Sequence, residues 1–122
     1  MSTRAQVRFA TREDGVSFSE HPKKIHAQFY KHSDGYPEGL GVEIAECFSN
    51  YGKTNNWEIE DLDTKHGDLE YIYYIWQCSD KHPAYISIFA VEPFTDQVGK
   101  CIFVGRADKL IGKYKLNTNN DG

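Results

Sequence analysis

Residues 69–77, LEYIYYIWQ, constrain this chain more than any other segment. Aromatic and β-branched residues fill both alternating registers, so a strand built from them has two apolar faces. Such a strand belongs inside a sheet, with material packed above and below it. Residues 84–91, AYISIFAV, repeat the pattern, and 79–83 between them reads as a turn. The two runs predict a hairpin at the centre of the fold. A chain of 122 residues fits one domain, 1–122, and 39% apolar residues can supply its core.

The other elements follow from period and punctuation. Val7 and Phe9 alternate with Arg8 and Ala10, which predicts a strand, and Val16 to Ser19 could pair with it as a hairpin. Residues 24–31 alternate again, with Ile25, Ala27 and Phe29 on a core face and Lys24, His26, Gln28 and Tyr30 on a more polar one. Leu40, Ile44, Cys47, Phe48 and Tyr51 form one helical stripe. With Pro37 at its start and Gly52 after its end, the stripe predicts a helix over about 37–51 and gives Cys47 a buried place. Residues 56–65 read as one or two short helical turns, 93–99 as a loop and 100–104 as a strand. Residues 107–115 fit a short helix or a last strand, and 117–122 a frayed tail. The expected class is α+β: an antiparallel sheet of about five to six strands, one amphipathic helix, and one or two short helices.

Charge is distributed unevenly around a net −4. Residues 1–31 hold six basic and three acidic side chains, for +3; residues 32–80 hold two and eleven, for −9; residues 81–122 hold six and four, for +2. The mean acidity argues against direct nucleic-acid binding, which wants a basic face. No apolar run reaches the ~18 residues of a membrane span, and MSTRAQVRF lacks a signal peptide's apolar stretch. A cytoplasmic protein is expected, with Cys47, Cys78 and Cys101 reduced.

The residues that carry chemistry are few. The run Tyr30-Lys31-His32-Ser33-Asp34-Gly35-Tyr36-Pro37-Glu38-Gly39 lies where a strand becomes a helix. A helix start can hold an anion, and Lys31 and His32 add charge while Tyr30 and Tyr36 could stack on a ring. The same residues also suit a structural corner, with Asp34 accepting turn hydrogen bonds and Gly35 taking positive φ. Arg106, Lys109 and Lys113 would share one face of a helix and could grip phosphate. The five histidines show no helical pairing, no cysteine set has zinc spacing, and no nucleophile elbow occurs. No catalytic residues, metal site or cofactor are therefore expected.

The run Y-K-H-S-D-G-Y-P-E-G-L-G, with the helix after it and H-G-D-L-E-Y-I-Y-Y-I beyond, resembles a group of small proteins encoded in phage and prophage genomes. The resemblance spans about residues 24–76; related forms carry an aromatic residue where Ser33 stands here. That group has no assigned chemistry. The phage setting implies counter-defence: a non-enzymatic homo-oligomer in the host cytoplasm. It would sequester a nucleotide-derived immune signal, cyclic ADP-ribose-like or a cyclic oligonucleotide, at a subunit interface. Tyr30, Lys31, His32, Asp34, Gly35, Tyr36, Arg106, Lys109 and Lys113 are the expected ligand-binding set. The alternative is a protein-binding inhibitor of a host defence nuclease. Its acidic middle (Glu58, Glu60, Asp61, Asp63, Asp68) would imitate a nucleic-acid backbone. A third reading is an enzyme using His32 and Asp34.

Overall fold

The computed structural model describes residues 3–11, 22, 24–50, 57–64, 66, 69–77, 85–92 and 97–119. Six strands form one sheet: β1 (Ala5–Thr11), β2 (Ile25–Lys31), β3 (Trp57–Glu60), β4 (Tyr71–Gln77), β5 (Tyr85–Glu92) and β6 (Gln97–Arg106). Their spatial order is β3-β2-β1-β4-β5-β6. Between β2 and β3 the chain makes a π-helical turn, Pro37–Gly41, that runs directly into helix α1 (Val42–Asn50). Helix α2 (Ala107–Asn119) follows β6 without a break. The fold is α+β.

The two aromatic runs are the antiparallel neighbours β4 and β5, in register from Tyr71 opposite Ala90 to Trp76 opposite Tyr85. The sheet is mixed and not purely antiparallel, because β1 lies parallel to β4 while pairing antiparallel with β2. Residues 16–19, 79–83 and Asp68 lie outside the described residues. Alternation then sorts side chains to two faces. On one face, Val7, Tyr73, Ile75, Ile86 and Ile88 meet Leu40, Ile44 and Ala45 of the first helical segment and Leu110 and Tyr114 of α2. On the other, Ala10, Tyr30, Leu69, Ile72, Tyr74, Trp76 and Phe89 form a second core. Both faces of β4 are buried, as its composition requires.

Several expectations fail for physical reasons. Residues 57–60 form strand β3 rather than helical turns, because Trp57 and Ile59 alternate with Glu58 and Glu60 and the edge of β2 offers them a ladder. Neither face of β2 is uniformly core: Gln28 and Tyr30 are buried but His26 is exposed on the polar face, while Lys31 is buried and Ile25, Ala27 and Phe29 are half-buried on the other. β6 begins at Gln97, inside the segment read as a loop, and α2 carries helical backbone through Asn119 into the expected tail. The expected helix over 37–51 opens as a π-turn, where Val42 N–H reaches back to the Pro37 carbonyl. Cys47 is half-buried, not core.

Candidate functional site

The Tyr30–Gly39 motif is built as a rigid corner. Asp34 takes the left-handed backbone at φ 58°, the role expected of Gly35. A short polar side chain makes aspartate one of the few residues that tolerate this region. Gly35 serves close approach instead: a Cβ there would stand 2.8 Å from the Ala5 Cβ and 2.9 Å from the Thr3 carbonyl oxygen. Its N–H donates to Thr3 O at 2.9 Å, and the buried Tyr73 hydroxyl donates to its carbonyl at 2.6 Å. Leu40 N–H donates to both Asp34 O at 3.1 Å and Tyr36 O at 2.9 Å. The corner is thus tied to the residues leading into β1, to β4 and to its own helix.

A cleft of about 190 Å³ opens at this corner, lined by Lys31, Asp34, Tyr36, Gly39, Leu40 and Glu43. Lys31 is buried, at 4% exposure, and its ammonium lies 4.0 Å from the Glu43 carboxylate. Glu43 also accepts the Trp57 indole N–H. Tyr36 is 40% exposed, and its ring sits over Gly39, where a Cβ would come within 3.2 Å of Cε2.

The predicted ligand set is divided by strand alternation. Tyr30 points to the opposite face from Lys31, stacked on His66 at 3.8 Å between ring centroids and edge-on to His32 at 4.5 Å. His32 is exposed and pairs with Glu58 at 3.0 Å. Arg106 ends β6 with its guanidinium 5.4 Å from the Tyr85 ring centre, on the side of the second core. Lys109 and Lys113 are exposed on α2, with the Lys113 ammonium near the Phe103 and Tyr114 rings. None of these three basic residues lines the corner cleft. The acidic set also splits. Asp61 and Asp63 are exposed. Glu60 is turned inward, accepting from Gln6 and Gln28 at 2.9 Å each and meeting His66 at 2.8 Å.

The Gln6–Gln28–Glu60–His66 cluster went unread in the sequence. Both glutamine amides also donate to the Thr64 carbonyl, at 3.1 and 3.0 Å, so the segment after β3 is held onto the sheet. Arg8 completes the row with bonds to Gln6 Oε1 at 2.8 Å and the Tyr74 hydroxyl at 3.0 Å. Gln6, Arg8, Gln28 and Glu60 each lie in the polar register of their strand, where they read as solvent-facing, and nothing in the spacing pairs them across the 32 and 54 residues that separate the glutamines from Glu60.

Neither described cysteine carries an activated thiol. Burial raises the Cys47 thiol pKa, and the Glu43 and Glu46 charges raise it further. Burial likewise raises Cys101. Among the described residues no three His, Cys, Asp or Glu side chains form a metal-binding group. No described helix is long and apolar enough to cross a membrane. Comparison with protein-family models, curated proteins and solved structures gives no match to this chain.

Proposed function

We propose that this chain is a non-enzymatic, phage-type counter-defence protein that sequesters a nucleotide-derived immune signal in the host cytoplasm. The site is completed between subunits. The observation that carries this reading is the corner cleft. Four of its six lining residues belong to the Tyr30–Gly39 motif, Tyr36 among them, and its frame is fixed by bonds to Thr3, just before β1, and to Tyr73 of β4. At about 190 Å³ it is smaller than the ~300–1,000 Å³ that small-molecule sites enclose. A second subunit laid over the corner would supply the missing walls. The exposed Lys109 and Lys113 suit the phosphates of such a ligand.

Native mass spectrometry of the purified protein, with cyclic ADP-ribose isomers and cyclic oligonucleotides added, tests the reading. The expected spectrum is a homo-oligomer that holds a nucleotide, recovered unchanged after denaturation. A monomer that binds none of them overturns it, and recovery of a cleaved ligand moves the protein to the enzymes. Salt-sensitive capture of a nuclease without small-molecule binding would replace sequestration with inhibition by the acidic surface.

A further inference from the structure

Charge at the corner is the reverse of what a phosphate site needs. Two acidic residues, Asp34 and Glu43, and one basic residue, Lys31, line the cleft. Lys31 and the Trp57 indole both engage Glu43. The Asp34 carboxylate makes no hydrogen bond or ion pair among the described residues, so it is the one uncommitted charge in the cleft. A phosphate brought here would meet that negative charge with the nearby ammonium already neutralised.

We infer that the corner cleft recognises the sugar and ring of a nucleoside, through the Asp34 carboxylate and the Tyr36 ring, and leaves the phosphates to other surfaces. This rests on the nucleotide-signal reading above, in its cyclic ADP-ribose-like form, whose ribose keeps both hydroxyls, and assigns that ligand its orientation. A carboxylate has two acceptor oxygens and no donor, which suits the two hydroxyls of a ribose diol. The Tyr36 ring, exposed and seated over Gly39, offers a face for a planar base. A Cβ at position 39 would stand 2.8 Å from the Asp34 carbonyl oxygen and 3.2 Å from that ring, so glycine there keeps both the turn and the platform in place. The left-handed backbone at residue 34 fixes where the carboxylate starts, because the Asp34 carbonyl is itself bonded to Leu40 N–H. The cleft's size matches this partial role, accepting one end of a ligand whose remainder lies outside it.

The test uses ¹⁵N-labelled full-length protein titrated with adenosine, 2′,3′-dideoxyadenosine and inorganic pyrophosphate. Adenosine is expected to shift the Gly35, Tyr36 and Gly39 amides saturably. Dideoxyadenosine should bind about tenfold more weakly, since it lacks the 2′,3′-diol that would donate to the carboxylate. Pyrophosphate should leave those amides unmoved. Asp34→Asn keeps a residue that tolerates left-handed backbone, and it should weaken adenosine about tenfold while leaving dideoxyadenosine unchanged. Tyr36→Ala should weaken both. Equal binding of the two nucleosides, an Asp34→Asn protein that binds adenosine normally, absence of any adenosine shift at the corner, or pyrophosphate shifts there each overturn the inference. Cyclic nucleotides bound in mass spectra with the corner amides unmoved would remove this inference and keep the sequestration reading. Adenosine bound at the corner with no cyclic nucleotide captured would do the opposite.

Discussion

At the scale of single residues, Gly35 shows how much a small side chain can decide. It lies against Ala5 and Thr3 and donates and accepts one hydrogen bond each, to Thr3 and from Tyr73. Gly35→Ala places a methyl 2.8 Å from the Ala5 Cβ and 2.9 Å from the Thr3 carbonyl oxygen, neither of which can swing aside as a flexible side chain would. The expected loss is about 1–3 kcal/mol, the usual cost of overpacking, read as a lower urea midpoint with unchanged slope. A variant as stable as the parent would mean the start of β1 yields freely. Tyr73→Phe addresses the same corner from the other side. It leaves the Gly35 carbonyl without its 2.6 Å donor and should cost about 1–2 kcal/mol. The sequence named Gly35 as special but assigned it the wrong task. Composition marks a glycine; only the approach of β1 shows whether conformation or space is what the glycine provides.

At the scale of elements, legibility followed whether the cause was local. β4 and β5 were readable because their residues alone demand burial on both faces, and α1 because its stripe has helical period. β3 was misread because its alternation is only four residues long and its stability comes from elsewhere. Gln6 on β1 and Gln28 on β2 both bind Glu60 at its end. The same distance in sequence hid the candidate site: Asp34 and Tyr36 were named, but Glu43 lies off the apolar stripe and was not, and Trp57, which engages it, belonged to the misread strand. The parallel pairing of β1 with β4 was equally invisible, since no local pattern encodes which strands become neighbours. Glu60→Ala tests the strand's dependence on the glutamines. It takes one acceptor from each of two buried glutamine amides, which keep the Thr64 carbonyl, and removes the partner of His66, for an expected loss of about 1–2 kcal/mol. Hydrogen exchange should rise first in residues 57–64. Ile59→Lys, at a side chain 76% exposed on the same strand, should stay within about 0.5 kcal/mol of the parent. If both variants lose equal stability, β3 is held by its ladder and Ile59 contacts, and the polar clamp is incidental.

At the scale of the whole molecule, tyrosines tie the two cores together. Tyr71, Tyr73 and Tyr114 belong to the helix-covered core and Tyr74 to the opposite one. Burial raises the pKa of all four above the ordinary value of 10.0, and most strongly that of Tyr73. Tyr71 and Tyr114 also feel the Glu38 charge, while the Arg8 guanidinium partly offsets burial at Tyr74. The folded chain therefore holds these protons more tightly than the unfolded chain does. Between the unfolded and folded pKa values the native state binds more protons, so stability falls as pH rises through that window. Below pH ~10 these groups are protonated in both states and their contribution is fully present. Thermal unfolding should thus show no tyrosine-linked loss from pH 8 to 9.5 and a steep fall beyond. Absorbance of ionised phenol from these four should rise together with loss of ellipticity. Because they sit on both sides of β4, that rise should be a single transition that takes both cores at once. Tyr73→Phe should shift that transition to higher pH despite lowering stability at neutral pH. Four independent ionisations with the fold intact above pH 11 would show that the two faces of the sheet open separately.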